Sequence, residues 1–225
     1  MDAIKLNAIL KSMEEQNVPQ MIISDPPAIF YLTGKWIIPG ERCLALYLNV
    51  NGNHKLVINK LFPQEKDLGV ELVWYDDIED PVEILSQFVE KDKPIGIDKT
   101  WPARFLLRLQ DLGAGSKFVN GSLIVDYVRQ IKNDTEKQLM REASLANDIV
   151  MEKLIPYVNK GMNEIELNKL VRDMYAESGH SGVSFDPITA YGKSGADPHH
   201  VTDTTTGKRG DSVVLDIGGI LNDYC

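Results

Sequence analysis

Cysteine is scarce in this chain: two among 225 residues, Cys43 and Cys225. They lie far apart and have no partner at ligand spacing, which excludes a disulfide framework and a cysteine zinc site and suits a reducing cytosol. Positive charge is also in deficit. The net charge is −9 and no dense basic cluster occurs, so a polyanion such as nucleic acid would meet repulsion over most of the surface. No apolar run approaches the ~20 residues that span a bilayer. The opening MDAIKLNAIL is charged within its first residues and has no cleavage-site pattern, unlike a signal peptide. Three catalytic signatures are missing as well: the G-x-S-x-G elbow, the phosphate loop ending in Gly-Lys-Ser/Thr, and H-E-x-x-H.

What is present is the patterning of a folded protein, with hydrophobic residues at 43% and no low-complexity stretch. Helix and strand signals alternate through the first half. Ile4, Ile9, Leu10 and Met13 recur at helical spacing, and a short apolar strand follows at Met21 to Ser24. Cys43 to Val50 and Lys55 to Asn59 flank Asn51-Gly52, a hairpin-turn signal. Strands are predicted at Glu71 to Tyr75 and Pro94 to Asp98, and helices at Val82 to Val89 and Trp101 to Leu112. This predicts an α/β domain with a mixed sheet over residues 1–125.

The second half, 126–225, opens on long helices. Asn133 with Glu136, and Asn163 with Glu166, are capping-box pairs in which side chain and backbone satisfy each other at a helix start. The first helix carries Leu139, Ala143, Ala146, Val150 and Leu154. The second carries Leu167, Leu170, Val171, Met174 and Tyr175, and Gly179 ends it. Strand-like pieces follow at Asp186 to Ala190 and Ser212 to Ile217. A tight hairpin is predicted at Leu221-Asn222-Asp223-Tyr224, where Asn-Asp supplies the positive φ angles.

Three residues draw chemical notice. Asp216 interrupts the apolar run Val213 to Ile217. A carboxylate buried there would need a partner or a metal, whereas on an alternating strand it simply faces solvent. His199 and His200 follow Pro198 in a Gly-rich loop, where a histidine can bind metal, move protons, hold substrate or stand solvated. Asp223 reads as a turn residue, and His54 and His180 as structural or surface groups.

These residues sit in runs that resemble the Xaa-Pro peptidases of the pita-bread fold, the prolidases and aminopeptidases P, relatives of creatinase. In the first half the resemblance rests on Ile29-Phe30-Tyr31-Leu32-Thr33-Gly34, Pro39-Gly40-Glu41-Arg42 and Ile95-Gly96-Ile97-Asp98. The run Val128-Arg129-Gln130-Ile131-Lys132, with Glu136 and Met140-Arg141-Glu142-Ala143, extends it. Gly161-Met162-Asn163-Glu164 and Ser184-Phe185 fit too. Pro198-His199-His200 joined to Gly210 through Gly218 is the most specific part.

The resemblance implies a creatinase-like N-terminal domain followed by the first part of an α+β pita-bread catalytic domain. It implies hydrolysis of the bond preceding proline by two divalent ions, with Mn²⁺ favoured and Co²⁺ or Zn²⁺ compatible. By the same resemblance Asp216 is the first metal ligand, His199 the catalytic and substrate-binding histidine, and His200 its substrate-side neighbour. The family's remaining ligands, a second Asp, one His and two Glu, find no match in these 225 residues. The chain taken alone is therefore expected to bind metal weakly and to turn nothing over. A proline-containing peptide is the expected partner, with a homodimer in the cytoplasm and neither nucleic acid nor membrane. A non-catalytic pita-bread binding module and a creatinase-type hydrolase are the alternatives.

Overall fold

The computed structural model describes residues 1–64 and 66–225. The chain divides into two compact units, Met1–Ile131 and Lys132–Cys225.

In the first unit, period-2 patterning builds a sheet covered on both faces. The strands are β1 (Gln20–Ile23), β2 (Ala45–Asn49), β3 (Lys55–Asn59), β4 (Glu71–Tyr75), β5 (Pro94–Ile97) and β6 (Lys117–Asn120), in the spatial order β4-β3-β2-β1-β5-β6. Antiparallel ladders join β2 to β1 and β3, and the other neighbours run parallel, so the sheet is mixed. Successive residues point to opposite faces and feed separate cores. Met21, Ile23, Leu46, Leu48, Leu56 and Ile58 pack on one side, and Ile22, Ala45, Tyr47 and Val57 on the other. Helices α1 (Ala3–Glu15), α2 (Pro26–Thr33) and α5 (Ser122–Gln130) cover the first core with Ile9, Met13, Ile29, Leu32 and Ile124. Helices α3 (Pro81–Ser86) and α4 (Ala103–Asp111) cover the second with Val82, Leu85 and Leu109. The central strands are thus apolar through their middles, as double coverage requires, with the buried polar residues Gln20, Asn49, Lys55 and Asn59 at their ends.

Short sequence runs acquire structural roles here. Asp98, just past β5, accepts hydrogen bonds from the Ser24 and Asp25 amides at 2.6 and 2.7 Å and from the Ser24 hydroxyl at 2.6 Å. Gly34 ends α2 at φ 69°. Arg42 grips Asp77 through Nε and Nη2 at 2.9 and 2.8 Å, a two-pronged bond that lifts the guanidinium pKa and lowers that of the carboxyl.

The second unit is α+β. Helix α6 (Asp134–Leu154) and helix α7 (Glu164–Glu177) both begin with complete capping boxes, at Asn133/Glu136 and Asn163/Glu166. A single 3₁₀ turn, Ile155–Tyr157, closes α6. Two ribbons follow: β8 (Ile188–Tyr191) pairs antiparallel with β9 (Val213–Asp216), and β7 (Gly182–Val183) with β10 (Gly219–Ile220). Val150, Leu154, Leu167, Val171, Met174, Tyr175, Tyr191 and Ile217 form one core. Gly219 has to be glycine, because a Cβ there would run into the rings of Tyr175 and His180. The final turn is as expected: Asn222 and Asp223 take φ of 50° and 66°, and Leu221 and Tyr224 exchange both backbone bonds.

Candidate functional site

The chemistry-bearing residues of the second unit gather around the loop that leaves β8 and returns toward β9. At its base lies Glu164, the first residue of α7 and fully buried. A buried carboxylate needs donors, and Glu164 has three. Its Oε1 accepts the Tyr191 amide at 2.9 Å, and its Oε2 accepts the Asp203 amide at 3.1 Å and meets Nε2 of His200 at 2.6 Å. The helix N-terminus adds a favourable field. The hydrogen bond to Glu164 raises the His200 pKa, with Glu164, Asp203 and Asp197 adding their charge. Asp203 is held below the carboxylate range, first by its bonds to Thr205, whose amide donates at 2.6 Å, and less by His200.

His199 stands beside this cluster on the exposed side of the loop, its amide bonded to Asp197 Oδ1 at 2.9 Å. The structure thus separates the two adjacent histidines: His200 turns inward onto Glu164 while His199 faces solvent.

Of the two readings of Asp216, the structure takes the alternating one: Asp216 is exposed at the end of β9, opposite Ile188. The cause is alternation: Val213, Leu215 and Ile217 pack on the core, while Val214 and Asp216 share the open face of a two-stranded ribbon. Its carboxylate does not pay the burial cost that the apolar run implied. Asp223 is confirmed as a turn residue. His54 is half-buried and accepts the Asn49 amide at 3.4 Å, its pKa lowered by burial. His180 is buried edge-on against Tyr175, with ring centroids 4.8 Å apart, and neither ring nitrogen has a hydrogen-bond partner among the described residues.

Glu164 is the residue that sequence reasoning passed over. The capping-box rule drew attention to Glu166 two positions on, and a carboxylate in a first helical turn ordinarily needs no explanation beyond the helix dipole. Only the return of β8 and the 203 region to the α7 N-terminus reveals its burial.

Two groups could offer ligands to a metal. Glu164, His200 and Asp203 each present a ligand atom, all within 4.8 Å of one another. The cluster is already bonded within itself, however: a His200 Nε2 that donates to Glu164 has no lone pair for an ion, and Glu164 also accepts two amides, which leaves the exposed Asp203 carboxylate as its most available oxygen donor. Asp216 is the second group, a single exposed oxygen donor of the kind that suits a hard divalent ion.

Comparison with known proteins places this geometry. Residues 5–131 match the family model of the creatinase/prolidase N-terminal domain, and residues 138–225 match metallopeptidase family M24. The chain belongs to the creatinase/prolidase metallopeptidase family. Among solved structures, a recombinant prolidase from Thermococcus sibiricus superposes with a TM-score of 0.89 at 25% identity, covering 98% of this chain and 62% of that one. Dipeptidase PepE from Mycobacterium ulcerans gives 0.84 at 27% identity, over 96% of this chain and 60% of its own. YkvY of Bacillus subtilis, which carries a provisional dipeptidase name, is 28% identical over 207 residues. That match covers 88% of this chain and 56% of the relative, so the chain spans little more than half the length of this family member. The family matches run through the Glu164 loop, His199, His200 and Asp216, all of which lie in the M24 segment.

Proposed function

We propose that this chain belongs to an Xaa-Pro dipeptidase or aminopeptidase that hydrolyses the bond preceding proline with divalent metal ions. The observation that carries the reading is the His199 to Asp216 segment. In one M24-matched stretch it holds an exposed histidine on an anchored loop and an exposed carboxylate at a strand end. Relatives named prolidase and dipeptidase support it.

Asp216 would be the residue that holds metal, and a bound pair of ions would polarise the scissile carbonyl and supply hydroxide. One carboxylate does not hold two ions. The role of His199 follows from its position. Its exposed ring can donate a hydrogen bond to a substrate carbonyl oxygen as negative charge develops there. A proline on the leaving side brings a tertiary amide with no N–H, so recognition must come through carbonyls and ring shape. Manganese, a homodimer and a cytoplasmic setting belong to the same reading. No helix among the described residues is long and apolar enough to cross a membrane.

The deciding experiment uses the intact gene product loaded with Mn²⁺ and compares leucyl-proline with leucyl-alanine. Selective release from leucyl-proline is expected, falling at least about 100-fold in Asp216→Asn and in His199→Ala. Equal hydrolysis of both peptides would remove the proline specificity. Peptide binding without turnover would favour a non-catalytic module.

A further inference from the structure

Between Tyr191 and Asp203 the chain makes a loop whose two ends converge on one carboxylate. Tyr191 marks where β8 ends, and its amide donates to Glu164 Oε1. At the returning end the Asp203 amide and the His200 ring both reach Glu164 Oε2. Backbone bonds reinforce that end: the Glu164 and Ile165 amides donate to the carbonyls of Thr205 and Asp203, and Asn163 bridges to Thr206. These contacts satisfy first-turn amides that a helix otherwise leaves to solvent. Thr189 closes the near side by donating to the Glu164 carbonyl at 2.8 Å.

His199 lies between the two anchors. A local turn fixes it relative to His200, since the His200 amide donates to the Asp197 carbonyl at 3.2 Å while the His199 amide takes the Asp197 side chain. Once His200 is drawn onto Glu164, the neighbouring ring is left facing outward. We propose that Glu164 and His200 are positioning residues, which clasp both ends of the 191–203 loop and so set where the His199 ring is presented to a peptide substrate.

The clasp rests on hydrogen-bond geometry and is modulated by charge. Around His200 the titratable groups are Glu164 from α7 and Asp197 and Asp203 from the loop; Tyr191 at the end of β8 acts on Glu164, its hydroxyl turned to the Val158 carbonyl. Because the His200 pKa is raised in the folded protein, the ionic part of the clasp is complete below the ordinary histidine value. It fades as pH rises through the raised one, leaving the weaker bond of the neutral ring. The loop should therefore be most tightly held on the acid side of neutrality.

The inference rests on the peptidase reading only for the role of His199, and the test keeps the two apart. Amide hydrogen exchange across residues 192–203 is measured in the full chain for wild type, His200→Ala, His200→Gln and Glu164→Gln. In His200→Ala exchange in this loop should quicken about tenfold, while residues 167–175 inside α7 keep wild-type protection. His200→Gln, which retains an N–H donor, should recover part of the protection. The wild-type advantage should shrink as pH rises past the ordinary histidine range. Should Glu164→Gln fail to fold, His200→Ala still decides, because its ring lies at the edge of the cluster. Unchanged loop exchange in His200→Ala overturns the clasp. So does saturable Mn²⁺ binding that protects the loop and is lost in His200→Ala, since the cluster would then be a metal site. Glycyl-proline titration with His199→Ala as control tests the other half. A loop clasped as described whose His199→Ala variant binds glycyl-proline like wild type overturns the presentation role while leaving the clasp in place.

Discussion

At the scale of single residues, the molecule contrasts two uses of carboxylates that are buried or half-buried. Glu164 and Asp98 are each surrounded by donors and tie segments together. Asp25 is different. It is only 9% exposed, lies beside Asp98, and caps α2 through its backbone without a side-chain capping bond. Burial raises its pKa most, Asp98 raises it further, and Arg129 at 3.6 Å offsets part of that. A carboxyl whose folded pKa is raised costs stability as it ionises, so this cost grows as pH climbs from the ordinary value toward the raised one and persists above it. Asp25→Asn should therefore melt higher than wild type at pH 7, with the difference vanishing at about pH 3, below the ordinary carboxyl value. Thermal melts at the two pH values check this. A lower melting point for Asp25→Asn at pH 7 would mean that the Arg129 contact outweighs burial.

At the scale of elements, the helix starts make the sharpest prediction. Asn133 accepts the Glu136 amide at 2.8 Å and Glu136 Oε2 accepts the Asn133 amide at 3.0 Å. Asn133→Ala removes half of that exchange and should cost about 1 kcal/mol, read from thermal or urea unfolding with an unchanged m-value. An unaffected midpoint would show that the packing of Val150 and Leu154, not the cap, holds the helix. The same local chemistry explains what could be read from sequence. The two capping boxes, the Asn51-Gly52 hairpin and the Asn222-Asp223 turn each depend on adjacent residues, and all were legible. Other elements were not. The edge strand β6 is four residues, Lys-Phe-Val-Asn, with polar ends and half-buried centres. Ribbon β7–β10 has two residues per strand, held by long-range pairing that no local pattern announces. Helix α5 carries Leu123, Ile124 and Val125 in a row, which masks its helical period. The site was legible in the same uneven way. The loop histidines and Asp216 stood out by type, and strand alternation already allowed Asp216 to face solvent, but the burial of Glu164 arises only when β8 and the 203 region meet the start of α7.

At the scale of the whole molecule, charge and donor count together predict how the protein meets a divalent ion. With 33 acidic against 24 basic side chains, the surface attracts cations generally. That attraction is diffuse, screened over about 8 Å at physiological salt, and does not saturate at one site. Specific binding needs converging ligands that are free to coordinate. Among the described residues, Asp216 and Asp203 each offer one exposed carboxylate without a second free ligand beside it, while Glu164 is bonded to His200 and to two loop amides. In 150 mM salt this 225-residue chain should therefore show no saturable Mn²⁺ binding by calorimetry, and Asp216→Asn should leave its melting point unchanged. In a chain of the full length of the matched relatives, the peptidase reading expects the opposite. Chelation should lower the melting point, Mn²⁺ should restore it, and Asp216→Asn should abolish the response. Ion at about 100 times its dissociation constant would stabilise by about 2.7 kcal/mol. Tight Mn²⁺ binding by the 225-residue chain, sensitive to Glu164→Gln but not to Asp216→Asn, would place the metal at the loop base instead and overturn the assignment of Asp216.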